Sequence, residues 1–298
     1  MYQWVGGLAR HWRQIAWVGA ALIGSSQAQT LSTPTQNLSC NRPFVHDRCS
    51  YQSGQIGGLT RHGIVCQAAA GANSPMVLVF HGHGGCAYQI ALTTRVHDAW
   101  PQAQVVYPDG LAGVATPHDP TGEQTGWQLY PEQTGDRDVQ LVDGVIDHFA
   151  ALGRIDPARV HAIGHSNGSR FVGVLWAVRA QRVRSFVFNA AQAGDLFERY
   201  GGSMPARAAA LTMGRNDCVV PFNAARNCDT PVANSANYQE ASINLARRQL
   251  GIAEGPTPFG KRSEKGTADK ELGLYVHDGA HDWPADLTDL AVRFMQRN

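Results

Sequence analysis

Short apolar runs alternate along this chain with stretches in which apolar residues recur every three or four positions. Residues 63–66, 76–80, 104–107, 160–163, 185–190, 208–213 and 272–276 are of the first kind and read as strands. The run 76–80 is continuously apolar, as a strand covered on both faces must be. Helical spacing marks 88–100, 136–152, 171–180, 238–250 and 284–296. In 136–152 the stripe is Val139, Val142, Ile146 and Phe149, with Asp136 and Asp138 in the first turn, where acids favour a helix. In 284–296, Pro284 stands near the start, and Leu287, Leu290, Ala291 and Phe294 share one face.

Strand and helix alternate through the whole span. That order predicts an α/β fold, a mainly parallel central sheet with helices on both faces. The polar intervals complete the expectation. Residues 29–39 form a flexible lead-in, 155–157 a turn, and 255–270 a surface loop. The segment 111–136 is dense in Gly, Pro and Thr, and a long loop in a compact domain is usually functional. No repeat or linker is legible, so one domain over 59–298 is expected, preceded by an extension over 29–58.

Composition adds compartment more than chemistry. The first 28 residues carry Arg10, His11 and Arg13, then a short apolar run over 15–24, then Ser26-Gln27-Ala28. This is the pattern of a secretory signal cleaved after Ala28. The apolar run is too short for a membrane span, which needs roughly 20 residues. Six cysteines follow the signal, none in a C-x-x-C pair. An even count in an exported chain suggests disulfides, and a secreted or periplasmic location. Spacing leaves the pairing open, and the most local choices are Cys40–Cys49 and Cys218–Cys228. A net charge of +1 gives no reason to expect a nucleic-acid partner.

The chemistry concentrates at Gly164-His165-Ser166-Asn167-Gly168. A strand precedes it and a helix follows, which is the context of a nucleophile elbow. Side chains at Gly164 or Gly168 would collide where strand and helix approach. A serine hydroxyl needs a base, and the base needs a third group to hold its tautomer. On such a scaffold the chain order is Ser, acid, His. The acid is then Asp217, in the loop after the strand 208–213, in preference to Asp195 or Asp229. The base is His281, after the last strand, in preference to His277. Oxyanion donors are expected from the backbone of Asn167 and from His83 or Gly84 in the run His81-Gly82-His83-Gly84-Gly85. That run has no Gly-Lys-Ser/Thr for phosphate, and no H-E-x-x-H accompanies its histidines, so neither a metal site nor a phosphate loop is expected. His97 and His161 read as structural or solvated. Trp127 and Trp283 are candidates for a substrate wall, the alternative for Trp127 being core packing.

Taken together, His81-Gly82-x-Gly84-Gly85, Ile155-Asp156-Pro157-x-Arg159-Val160, Gly164-His165-Ser166-Asn167-Gly168, Gly214-x-x-Asp217-x-Val219-Val220-Pro221 and His281-x-Trp283-Pro284 resemble one α/β-hydrolase group. It holds secreted polyhydroxybutyrate depolymerases, feruloyl esterases and acetylxylan esterases. The resemblance runs from about Leu59 to the C-terminus. It implies an α/β-hydrolase fold, Ser166 as nucleophile, Asp217 as orienting acid, His281 as base, and an exported, cofactor-free ester hydrolase. The chain departs from the group at Ser169, where a further Gly is common, and at His83, where Cys is frequent. Feruloyl or acetyl esters of plant polysaccharide are the first expectation for substrate. A polyester is the second, because no polymer-binding module is legible. An acyltransferase and a non-catalytic binding protein are further alternatives. No membrane partner is expected.

Overall fold

The computed structural model describes residues 40, 43–191, 193–225, 228–229 and 238–298. The expected signal (1–28) and lead-in (29–39) lie outside the described residues. Among the described residues, nine strands form one sheet. In chain order they are β1 (Cys49–Ile56), β2 (Leu59–Cys66), β3 (Ser74–Phe80), β4 (Gln104–Pro108), β5 (Ile155–His165), β6 (Ser185–Asn189), β7 (Ala208–Gly214), β8 (Gly260–Lys265) and β9 (Glu271–His277). Their order across the sheet is β1-β2-β4-β3-β5-β6-β7-β9-β8. The six strands from β4 to β9 run parallel, while β1 and β2 on one edge and β8 on the other are antiparallel. This is the α/β-hydrolase fold.

The central strands are buried on both faces, so alternate residues feed two separate cores. Met76, Leu78 and Phe80 of β3 point to one side, with helices α3 (Arg137–Ala151), α4 (Asn167–Arg179), α5 (Gly194–Tyr200) and α6 (Gln239–Gln249). Val77 and Val79 point to the other, with α1 (Ala87–Thr94), α2 (Val96–Ala99) and α7 (Leu287–Arg297). The α7 stripe read from sequence is nearly the observed one, with Leu287, Ala291 and Phe294 buried beside Val292 and Met295.

The structure differs from the sequence reading in several places. Strand β1 lies within the expected extension, and it pairs with β2 along its full length. The sheet therefore begins before residue 59. Residues 260–265 form β8 rather than a loop. Both are edge strands with little burial, so they lack the apolar alternation that marks a strand. The turn at 155–157 is absorbed into the start of β5, where the register with β3 shifts. The helix expected over 88–100 breaks at Arg95, which is left-handed at φ 46°. There the Thr94 carbonyl accepts the hydroxyl of Thr288 from α7 at 2.6 Å, instead of continuing a helix.

All six cysteines are paired. Cys218–Cys228 closes as expected. The Cys40–Cys49 pairing is wrong: Cys40 joins Cys86, and Cys49 joins Cys66 across β1 and β2. Cys49 and Cys66 are register partners in the antiparallel ladder, a proximity that only the strand pairing supplies.

Candidate active site

Ser166 stands between the end of β5 and the first turn of α4 with φ 54° and ψ −122°. A non-glycine residue at positive φ is strained, and such strain gathers at functional sites. The packing that enforces it is visible at two glycines. A methyl on Gly164 would lie 2.3 Å from the carbonyl oxygen of Gly168. One on Gly168 would lie 2.3 Å from that of Phe80. Strand β5, helix α4 and the end of β3 thus meet backbone to backbone. The Ser166 N–H donates to the carbonyl of Asn189 at 2.9 Å, tying the elbow to β6.

His281 brings the other two strand ends to this point. Its Nε2 is 2.8 Å from Ser166 Oγ, and its Nδ1 is 2.7 Å from Asp217 Oδ2. Asp217 is fully buried. Its Oδ1 accepts the N–H groups of Val219 and Val220 at 2.8 and 2.9 Å, and its Oδ2 also accepts Gln239 Nε2 at 2.7 Å. Four donors thus meet this buried carboxylate and fix its orientation. Asp217 Oδ2 accepts the hydrogen bond of the His281 Nδ1–H, which leaves the Nε2 lone pair facing the serine hydroxyl. The Cys218–Cys228 bridge anchors the chain at the residue next to Asp217.

The other candidates fall elsewhere. Asp195 is held by both terminal nitrogens of Arg170 and by the Tyr130 hydroxyl. Asp229 is exposed. His277 Nδ1 accepts the Gly279 N–H at 3.0 Å, and burial pushes its pKa down. His97 is buried against the Tyr107 hydroxyl, and His161 against Ser185 Oγ, each at 2.8 Å. Desolvation holds His97 near a pKa of about 4 and His161 near about 3, so both are neutral packing groups.

The glycine-rich loop after β3 lies against the elbow. His81 is buried with Nδ1 2.7 Å from the Gly82 carbonyl, while its Nε2 accepts the Gly110 N–H at 2.9 Å. His83 turns away to Asp119 Oδ2 at 2.9 Å. The two imidazoles serve different partners and share no ligand position. The expectation for Gly84 does not hold. Its N–H donates to the Thr125 carbonyl at 2.7 Å and is spent. Among the described residues the N–H groups of His83 and Asn167 meet no acceptor. Asp119, which also accepts the N–H groups of Glu123 and Gln124, is held below the usual carboxylate range chiefly by those backbone donors.

A cleft of about 810 Å³ opens over Ser166. Trp283 lines it, beside Ile90 of α1, and its indole N–H donates to Thr288 Oγ1 at 3.0 Å. Trp127 does not line it, contrary to the sequence reading. It is fully buried, stacked on Phe171 and edge-on to Phe80, with its indole N–H on the His81 carbonyl. An aromatic residue in a Gly- and Pro-rich segment resembles a binding residue, but here it pins that segment to the core. Sequence reasoning also missed Gln239, Asp119 and the Arg170–Asp195–Tyr130 group. Nothing local marks them, because each gains its partner only through tertiary contact. Asn189, the polar end of an otherwise apolar run, carried a faint signal.

No family model matches the chain. It is 27% identical over 282 residues to "Putative esterase NocK" of Nocardia uniformis subsp. tsuyamanensis, covering 82% of this chain and 76% of that protein. Among solved structures it is similar to a cold-adapted esterase from an Arctic intertidal metagenomic library, with TM-score 0.54, 14% identity, and 86% and 97% of the two chains covered. It is also similar to an acetyl xylan esterase from Aspergillus awamori, with TM-score 0.55, 11% identity, and 84% and 100% covered. At these identities the structural matches speak for the shared α/β-hydrolase fold.

Proposed function

We propose that this chain is a secreted or periplasmic serine carboxylic-ester hydrolase, with Ser166, His281 and Asp217 as its catalytic residues. The observation that carries the reading is the unbroken relay Ser166 Oγ–His281–Asp217, with contacts of 2.8 and 2.7 Å at the floor of an open cleft. Ser166 Oγ attacks the ester carbonyl carbon while His281 Nε2 takes its proton. The carbonyl oxygen becomes an oxyanion, received by the N–H groups of Asn167 and His83, and the positive end of α4 adds to the field there. The tetrahedral intermediate collapses, the C–O bond to the alcohol breaks, and His281 hands its proton to the leaving oxygen. Water then repeats the sequence on the acyl-serine and releases the acid. Apart from that water, each group in this scheme is a side chain or backbone amide of this chain. The likeness to NocK, described as an esterase, supports the same reaction class.

For the substrate we propose feruloyl or acetyl esters of plant polysaccharide. The open cleft is of ligand size, with apolar walls at Ile90, Val219, Val220 and Trp283 and polar groups around Ser166. That shape suits one acyl group entering from a soluble chain. The three disulfides support an oxidising compartment, and among the described residues no helix is long and apolar enough to cross a membrane. The test is release of ferulate from methyl ferulate by the full chain. We expect turnover in the wild type, with loss of roughly four orders of magnitude or more in Ser166→Ala at unchanged thermal unfolding. Comparable turnover in that variant would refute the assignment. Clearing of a polyester emulsion without ferulate release would move the substrate to the polymer.

A further inference from the structure

A second imidazole stands beside the base. His165, the last residue of β5, has its ring centroid 5.1 Å from that of His281 and 6.4 Å from that of Trp283, and it lines the cleft. Its protonation pattern follows from its neighbour. The side-chain nitrogen of Asn189 lies 2.8 Å from the carbonyl oxygen of Asp282 and 2.9 Å from His165 Nδ1. A carbonyl accepts only from a donor, so the amide nitrogen faces both groups, and Nδ1 is an acceptor. The ring proton is therefore on Nε2. Among the described residues that N–H has no acceptor, and the half-buried ring lines the cleft.

The position of this donor matters. His281 must give its proton to the departing oxygen, so the alcohol half of the ester lies on the His281 side of Ser166. His165 and Trp283 border that side. A methyl placed on Gly82 would be 3.3 Å from Ser166 Cβ and 3.5 Å from His165 Cδ2, so the ring fills the gap between the glycine-rich loop and the His281 loop. Resting on the ester-hydrolase reading above, we propose that His165 Nε2–H is a specificity-determining donor for a second, neutral oxygen on the leaving alcohol. The substrates it selects are esters of hydroxylated or ether-bearing alcohols, as in polyols and sugars, over esters of plain alkyl alcohols. Burial, with the neighbouring His281 adding to it, pushes the His165 pKa down to about 4. The ring thus stays neutral even while His281 carries a proton during turnover, and it offers no charge to an anionic alcohol.

The experiment compares hydrolysis of hydroxyethyl acetate and ethyl acetate by the full chain, each rate divided by that of the hydroxide-catalysed reaction. One hydrogen bond of ordinary strength gives a preference of roughly three- to tenfold in kcat/KM. We expect that preference in the wild type. In His165→Phe, which keeps the planar bulk, we expect it to vanish while ethyl acetate turnover stays within about threefold. His165→Gln, which keeps an N–H donor, should restore part of it. A wild-type preference no larger than that of hydroxide overturns the proposal, whether or not any variant folds. So does a folded His165→Phe that loses both rates in equal proportion, because the ring would then only support its neighbours. If the wild type hydrolyses neither ester, nor methyl ferulate, nor a polyester emulsion, the hydrolase reading itself has failed.

Discussion

The elbow and the segment 111–128 both shape the surroundings of Ser166, and they are held in opposite ways. At the elbow, backbone meets backbone: β5, α4 and β3 close on Gly164 and Gly168 with no room for a methyl group. The segment 111–128 has almost no regular structure; backbone bonds close its own turns, and apart from the Gly84 N–H on the Thr125 carbonyl, its ties to the elbow's surroundings run through side chains. Asp119 takes His83, and Thr125 binds the Gly85 carbonyl. Asn167 exchanges two bonds with the backbone of Trp127, and Trp127 reaches the His81 carbonyl. Both residues that supply the proposed oxyanion N–H groups, His83 and Asn167, thus have their side chains tied to this one segment. A geometry built from packed backbone should fail all at once. One built from separate side-chain ties should fail by degrees.

The largest effect is expected at the elbow. Gly168→Ala places a methyl into the Phe80 and His81 carbonyls, where only backbone could give way. We expect loss of soluble, cooperatively unfolding protein, seen in expression and thermal melts. A stable, fully active Gly168→Ala protein would erase the contrast between the two regions. A smaller effect is expected in the segment. His83→Ala removes the tie to Asp119 but leaves its own backbone N–H and the Asp119 turn in place. Losing an oxyanion donor outright costs about a hundred- to a thousandfold. Loosening one should lower kcat by roughly tenfold, with KM changed less than about threefold. Steady-state kinetics decide it. A raised KM at unchanged kcat would mean that the segment only walls the cleft.

The same contrast explains what could be read from the chain alone. The elbow, Asp217 and His281 sit at ends of strongly apolar central strands, so chain order was enough to place them. The two buried cores were legible for the same reason, because β3 is apolar on both faces. Strands β1 and β8 were not, since an edge strand with a wetted face carries no apolar signature. At the break at Arg95 the Thr94 carbonyl meets Thr288, far away in sequence. Trp127 was misplaced because residue type suggests a surface role that only its stacking on Phe171 excludes. Gly84 was misjudged because a glycine that permits close approach is not thereby a free donor. Gln239, buried beneath Asp217, had no local mark at all.

The central claim is that Ser166 is an activated nucleophile, made so by His281. The most direct measurement is the intact mass of the protein after exposure to a p-nitrophenyl alkylphosphonate, followed by peptide mapping. The account predicts a single added phosphonyl group on the peptide carrying Ser166, with labelling slowed strongly in His281→Ala and absent in Ser166→Ala. An unlabelled wild type, or a label on another residue that persists in Ser166→Ala, would contradict it.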